Sequence, residues 1–292
     1  MRIERYPRAG RPGFKAVVAA GLISAMVVGL GPGPLHAQEA TAMDRLDKTA
    51  LKKFFGDFGK VLSSPSRWGQ KDLESLAEVL AAGGMFFLAD DNIQESILAV
   101  RTAASEDLSA FFSNFGDGFV LSAALLGFYA AGERSGRPAW RRTALLSLES
   151  LGATALLVLG SKFVVGRARP RSHEGGRSFQ PFSFGSTYYS MPSGHSAAAW
   201  AVATTIADQS ESRTVDAIAY GLATLVAVSR VHDDKHWASD VFLGSALGYF
   251  TAKKICSINR PKPAISPNLL ETARLSFGLA GPRKSITLSF NW

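Results

Sequence analysis

Cysteine is almost absent, with Cys256 alone among 292 residues. A lone thiol closes no internal disulfide and builds no thiolate metal cluster, so the fold must rest on its core and the chemistry on other side chains. Cys256 itself reads as a small buried apolar residue near a helix end. Charge is sparse as well, at 19% of residues, and histidine is limited to five. Broad basic coverage interleaved with base-stacking aromatics is missing, which excludes a nucleic-acid groove. Long clean apolar runs are missing too. The runs beyond residue 72 are mostly shorter than the ~20 residues of a plain membrane span and are interrupted by Glu149, Asp208 or Asp216, which suits a buried core at least as well as a span. There is no internal repeat.

What is present begins with an export signature. Arg2, Arg5, Arg8, Arg11 and Lys15 precede the apolar run from Ala16 to Leu30, Gly31-Pro32-Gly33-Pro34 breaks it, and Leu35-His36-Ala37 has the small-residue look of a cleavage site. Residues 1–37 are therefore read as a signal peptide. They hold five cations and one anion, so the formal charge of +8 drops to +4 over residues 38–292. Much of that remainder gathers at Lys162, Arg167, Arg169, Arg171 and Arg177, a local concentration suited to an anionic substrate.

Helical periodicity dominates the rest. Residues 38–72 form an N-terminal extension in which Phe54, Phe55 and Phe58 suggest one amphipathic helix. Residues 73–254 carry six apolar helical segments, near Leu73 to Ala89, Phe119 to Ala131, Thr143 to Val165, Ser196 to Asp208, Val215 to Arg230 and Ser239 to Lys253. Residues 255–271 are a Pro-rich linker, and 272–292 alternate as a β-hairpin around Gly281-Pro282-Arg283-Lys284, with Leu275, Phe277 and Leu279 on one strand and Ile286, Leu288, Phe290 and Trp292 on the other. The expected fold is all-α: an antiparallel bundle of about six core helices with a short C-terminal β-hairpin appendage.

Three segments carry chemistry: Lys162-x6-Arg169-Pro170, Pro192-Ser193-Gly194-His195 and Ser229-Arg230-x5-His236-x3-Asp240. Together they supply three cations, two imidazoles, a carboxylate and a Gly-containing turn opening a helix, an inventory able to hold a phosphoryl group and attack it without metal. Short loops between antiparallel helices put alternate connections at opposite ends of a bundle. On that count all three segments meet at one end. Lys162, Arg169 and Arg230 suit the nonbridging oxygens of a phosphate, and Ser193 and Gly194 can turn backbone N–H groups toward an anion. His236 and Asp240, four apart, allow the carboxylate to take one imidazole N–H and leave the other nitrogen free to attack phosphorus. His173 and His232 read as structural or solvent-facing, and Asp233, Asp234 and Lys235 as a solvated loop. Phe179, Phe182, Phe184, Tyr188 and Tyr189 either pack as an ordinary loop or form an apolar lip for a lipid tail.

Over roughly Phe119 to Ala252 the three segments resemble the signature motifs of the type 2 phosphatidic acid phosphatase and vanadium haloperoxidase superfamily. The resemblance implies phosphate binding by Lys162, Arg169, Ser193, Gly194 and Arg230. It also implies a phosphohistidine on His236 oriented by Asp240, with His195 protonating the leaving oxygen and then activating water. No metal or other cofactor is expected, vanadate entering only on the haloperoxidase branch. The expected partner is a phosphorylated lipid or small phosphate ester, with membrane association compatible, no nucleic acid and no feature specifying an oligomeric state. Alternatives are the vanadium-dependent haloperoxidase, a soluble nonspecific acid phosphatase and, from another class, a noncatalytic envelope scaffold. An export signal would put residue 38 outside, and six spans from there would turn the motifs inward. The favoured location is therefore periplasmic, soluble or peripherally attached, against an inner-membrane alternative with a periplasmic site that the basic loop Arg134, Arg137, Arg141 and Arg142 supports.

Overall fold

The computed structural model describes residues 46, 48–260, 274–278 and 285–289. The signal peptide read over 1–37 lies outside these residues, as do 261–271 of the linker and Leu279, Phe290 and Trp292 of the hairpin. Among the described residues there are eight α-helices: α1 (Lys48–Leu62), α2 (Gln70–Ala99), α3 (Ala103–Ser113), α4 (Gly118–Arg134), α5 (Pro138–Val165), α6 (Gly194–Gln209), α7 (Arg213–His232) and α8 (Ala238–Ile258).

Their ends follow local chemistry. Asp117 caps α4 by accepting from the N–H groups of Phe119 and Val120 at 2.9 and 3.0 Å. Thr102 and Ser105 form a reciprocal box at the start of α3. Pro138 opens α5, where its missing N–H costs nothing, and Gly166 closes α5 in the left-handed region.

Helix α6 runs through the middle of the bundle, and its small side chains set the packing. Ala198, Ala199, Val202 and Ala203 are buried, and with Phe115, Leu121, Leu125 and Val226 they line the main core. Each fully buried Leu, Val or Phe contributes roughly 1.5–3 kcal/mol. Helix α8 crosses α6 almost backbone to backbone: a Cβ on Gly248 would lie 2.1 Å from the Ala197 carbonyl oxygen, and one on Gly244 would lie 2.5 Å from that of Ser193. That approach brings the N-terminal turns of the two helices together, and the Ser193 N–H donates to the Asp240 carbonyl at 2.9 Å.

The six expected segments are all helical, but the bundle holds one more helix. α3, with the sequence AASEDLSAFFS, is short, and Ser105, Glu106 and Asp107 in its first half leave no long apolar run to mark it. α2 also runs ten residues past the expected Ala89, to Ala99, and α8 runs to Ile258, into the stretch read as linker.

Among the described residues α5 and α7 are long and apolar enough to cross a membrane, and α3 with α4 would make a third such unit, bent by 58°. Glu149, which interrupts α5 in the sequence, has its charge met by Lys53 of α1 at 2.8 Å. Large apolar side chains also face outward, among them Leu80, Met85 and Leu88 on α2, Leu159 on α5 and Val228 on α7. From Asn259 onward the chain forms a separate unit, where Arg274–Gly278 and Ser285–Ser289 pair antiparallel with Leu275 opposite Leu288 and Phe277 opposite Ile286.

Candidate active site

The last turn of α5 buries Lys162, whose Nζ donates to the carbonyls of Tyr189 and Ser190 at 2.6 and 3.2 Å. Gly166 then reverses the chain at φ 57°, where a Cβ would fall 1.9 Å from the Gln180 carbonyl oxygen, so only glycine fits. Residues 166–169 now run against 178–187, with Gln180 N donating to Gly166 O at 2.6 Å, Ala168 N to Ser178 O at 2.9 Å and Arg169 N to Thr187 O at 3.0 Å. This strap returns Arg169 to Lys162. The Arg169 guanidinium donates to Tyr189 O at 3.2 Å and to Lys235 O at 3.3 Å, so both cations share the Tyr189 carbonyl. Arg230 enters from the end of α7, hydrogen-bonded to Ser113 Oγ and 3.5 Å from Asp233 Oδ2, and its buried Nε has no hydrogen-bond partner.

The N-terminus of α6 faces the same place. Ser193 holds the cap position, yet its side chain makes no capping bond to the first turn and instead accepts from Ser196 Oγ at 3.0 Å. The backbone N–H groups of that turn are therefore open to an anion, backed by the helix dipole. Capping alone does not explain the Ser193-Gly194 turn. A Cβ on Gly194 would come within 4.0 Å of Lys162 Cε, which places the cation directly over the turn.

His195 projects from this turn and packs beside Gly116. Burial, with Arg230 adding to it, pushes its imidazole down to about 3. His236 precedes α8 and is likewise pushed down to about 3 by burial; Asp240 opposes the shift, while Lys162 and Arg169 reinforce it. Both imidazoles are neutral at ordinary pH, which leaves His236 nucleophilic. Asp240 Oδ2 lies 3.9 Å from His236 Nδ1, the expected side of the ring but beyond hydrogen-bond range. The i,i+4 spacing suggested a direct bond. In the structure Asp240 already accepts from Arg167 Nη1 at 2.7 Å, Ser190 Oγ at 2.5 Å and Trp237 N at 3.0 Å.

These imidazoles make stability pH-dependent. Between the ordinary value of 6.5 and about 3 the unfolded chain binds protons at His195 and His236 that the folded chain refuses. Stability therefore falls as pH drops through that window, by about 1.4 kcal/mol per pH unit for each group, and levels off below it. A His195→Gln variant should lose part of this slope when the melting temperature of the full chain is followed from pH 7 to pH 4. An unchanged slope would count against a buried neutral imidazole.

The loop read as solvated is in fact packed. Asp233 accepts from Ser109 Oγ at 2.6 Å, Asp234 from Gln94 Nε2 at 2.8 Å, and Ser105 Oγ meets His232 Nε2 at 2.8 Å. The partners come from α2 and α3, and α3 was the helix missed in the sequence. His232 thus has the structural role expected of it, and His173 is exposed. Of the aromatic loop, Phe182 and Phe184 stand largely in solvent against Phe163, the neighbour of Lys162, with ring centroids 5.4 and 5.0 Å away. Phe179 turns toward Phe87 and Arg167 instead. Arg167, counted in the sequence among the cations gathered for an anionic substrate, is instead wholly buried and paired with Asp90 and Asp240. A charged residue with no water around it and two carboxylates beside it is visible only in three dimensions.

Residues 143–262 match the family model of the PAP2 superfamily. A lipid A 1-phosphatase of Porphyromonas gingivalis is 27% identical in an alignment of 224 residues that covers 74% of this chain and 45% of that protein, so the chain spans less than half of this relative's length. The crystal structure of Aquifex aeolicus LpxE is similar at a TM-score of 0.48 and 20% identity, over 57% of this chain and 94% of the other. That of a transmembrane PAP2 type phosphatidylglycerolphosphate phosphatase from Bacillus subtilis is similar at a TM-score of 0.44 and 20% identity, over 72% and 94%.

Proposed function

From the match of residues 143–262 to the PAP2 superfamily, we propose that this chain belongs to that superfamily and is a phosphatase of phosphorylated lipids of the cell envelope, working through a phosphohistidine and without metal. The observation that carries the reading is the meeting of Lys162, Arg169, Arg230 and the uncapped α6 N-terminus around two neutral imidazoles. Three fixed cations and a helix N-terminus neutralise a phosphate by themselves and repel a divalent cation.

In the first half-reaction the Nε2 lone pair of His236 forms a bond to phosphorus as the bond to the leaving oxygen breaks, and that oxygen takes a proton from His195. The incoming substrate anion raises the imidazole of His195 against Arg230, which lets it carry that proton. In the second, His195 takes a proton from water, the water oxygen bonds to phosphorus, and the P–N bond breaks to return neutral His236 and free phosphate.

A lipid substrate is supported by the activity named for the Porphyromonas gingivalis relative, by the exposed Phe182 and Phe184 beside the end of α5, and by the outward apolar faces of α2, α5 and α7. Those faces and the two membrane-length helices favour a chain seated in the membrane of the envelope over the soluble state expected from the sequence. Export and a periplasmic site belong to the same proposal.

The test uses the purified full chain in detergent with EDTA present, offered phosphatidic acid, lipid A and a soluble aryl phosphate. Phosphate release by wild type and not by His236→Ala is expected, with a lipid preferred. Equal release by the variant would sink the histidine mechanism, and loss of release on adding EDTA would sink metal independence. Bromide oxidation by peroxide and vanadate without phosphate release would place the chain on the haloperoxidase branch.

A further inference from the structure

Behind Asp240 lies a buried ionic cluster that the three motifs do not include. Arg167 Nη1 donates to Asp240 Oδ1 and to Ser239 Oγ, each at 2.7 Å, and its Nη2 donates to Asp90 Oδ2 at 2.8 Å. The Nε–H is taken by the Gly176 carbonyl at 2.8 Å. Asp90, from α2, also accepts from Ser239 N at 2.9 Å and from Ser239 Oγ. The side chains of all three charged residues are 2% exposed or less. The rings of Phe87 and Trp237 lie 4.7 and 5.4 Å from the guanidinium carbon and shut water out.

Two carboxylates around one guanidinium leave one negative charge unbalanced. Holding such a cluster in the core is costly unless something nearby uses the charge. The nearest group able to become positive is His236. It is faced by Lys162 from α5, Arg169 from the strap and Asp240 from α8, and Asp240 is faced in turn by Arg167, with Asp90 behind it.

Resting on the phosphatase reading, we infer that Arg167 and Asp90 are positioning residues: Arg167 fixes the Asp240 carboxylate, and Asp90 neutralises Arg167 so that the charge of Asp240 remains available to His236. With Asp90 absent, Arg167 would cancel Asp240 and the developing charge on the imidazole would go unmet. With Arg167 absent, two unpaired carboxylates would overcharge the cluster and free Asp240 to move.

The inference predicts cancellation. Asp90→Asn and Arg167→Gln should each lower kcat for an aryl phosphate by roughly ten- to a hundredfold, as expected of partners acting through another residue, with KM little changed. In Arg167→Gln the acid limb of kcat/KM should move to higher pH, because the extra negative charge favours the protonated imidazole. The double variant restores a single negative charge, so it should recover most of kcat and the wild-type limb. Losses that multiply in the double variant, or wild-type kcat in both single variants, would overturn the inference. Should Arg167→Gln fail to fold, a double variant more active than Asp90→Asn supports it and one no more active overturns it. The 15N spectrum of His236 in the full chain gives a readout independent of turnover. The Nδ1–H tautomer is expected in wild type and double variant and a tautomer mixture in the single variants, whereas one tautomer throughout would overturn it. Failure of the phosphatase reading would show differently, as no phosphate release by wild type.

Discussion

His236→Gln is expected to lower kcat by at least about 10⁴-fold, the scale of losing a nucleophile whose partners act as a unit. Glutamine keeps a polar group of similar reach but offers phosphorus no lone pair on a basic nitrogen. The site should still bind the anion, because Lys162, Arg169, Arg230 and the α6 N-terminus are untouched. Inorganic phosphate should therefore protect the variant against thermal unfolding about as well as it protects wild type, while acid-labile radiolabel from a lipid phosphate should appear only on wild type. A variant that both binds and turns over would remove His236 from the chemistry. A variant that neither binds nor turns over would mean that the substitution had disturbed the pocket.

Arg230→Gln should cost about 10²–10³-fold in kcat/KM, the size of removing one preorganised donor to the transition state. Its guanidinium is positioned by Ser113 from the end of α3 and by Asp233, and its Nε has no partner within the protein. A planar fork with one arm anchored and one donor open suits a phosphate better than the point charge of lysine. Arg230→Lys should accordingly restore only part of the loss. The sign of the accompanying pH effect follows from the neighbouring imidazole. Arg230 helps to hold His195 down, so its removal lets that imidazole keep its proton to higher pH, and the alkaline limb of kcat should move upward. An alkaline limb that stays in place would show that Arg230 and His195 do not share the pocket as described. Ser113→Ala should reproduce the direction at smaller size, because it frees the guanidinium without removing its charge.

The eight positions proposed to act in catalysis or to hold the anion were legible in the sequence because they lie in three short segments, each with a local physical signature. A cation two helical turns from another, a Ser-Gly turn before an apolar helix and a His four residues from an Asp are all visible within a few residues. Helix periodicity revealed six segments of the bundle for the same reason, since an apolar stripe is a local property. What escaped was non-local. α3 is only eleven residues long, without an extended apolar run, and is held in place by bonds to the motif loop, such as that from Ser109 to Asp233. Glu149 read as an interruption because its partner, Lys53, lies 96 positions away.

By itself, then, the sequence determined that a helical bundle would bring three cations, two imidazoles and a carboxylate to one of its ends. Only the tertiary structure decided how they are poised. Burial makes His195 and His236 neutral, and three competing donors draw Asp240 to 3.9 Å from its histidine. Arg167, which in sequence is one more cation of the cluster suited to an anionic substrate, becomes the buried link between Asp90 and Asp240, 77 and 73 positions away. Charge belongs to the residue, but its solvation and its partners belong to the fold, and those set what the charge can do.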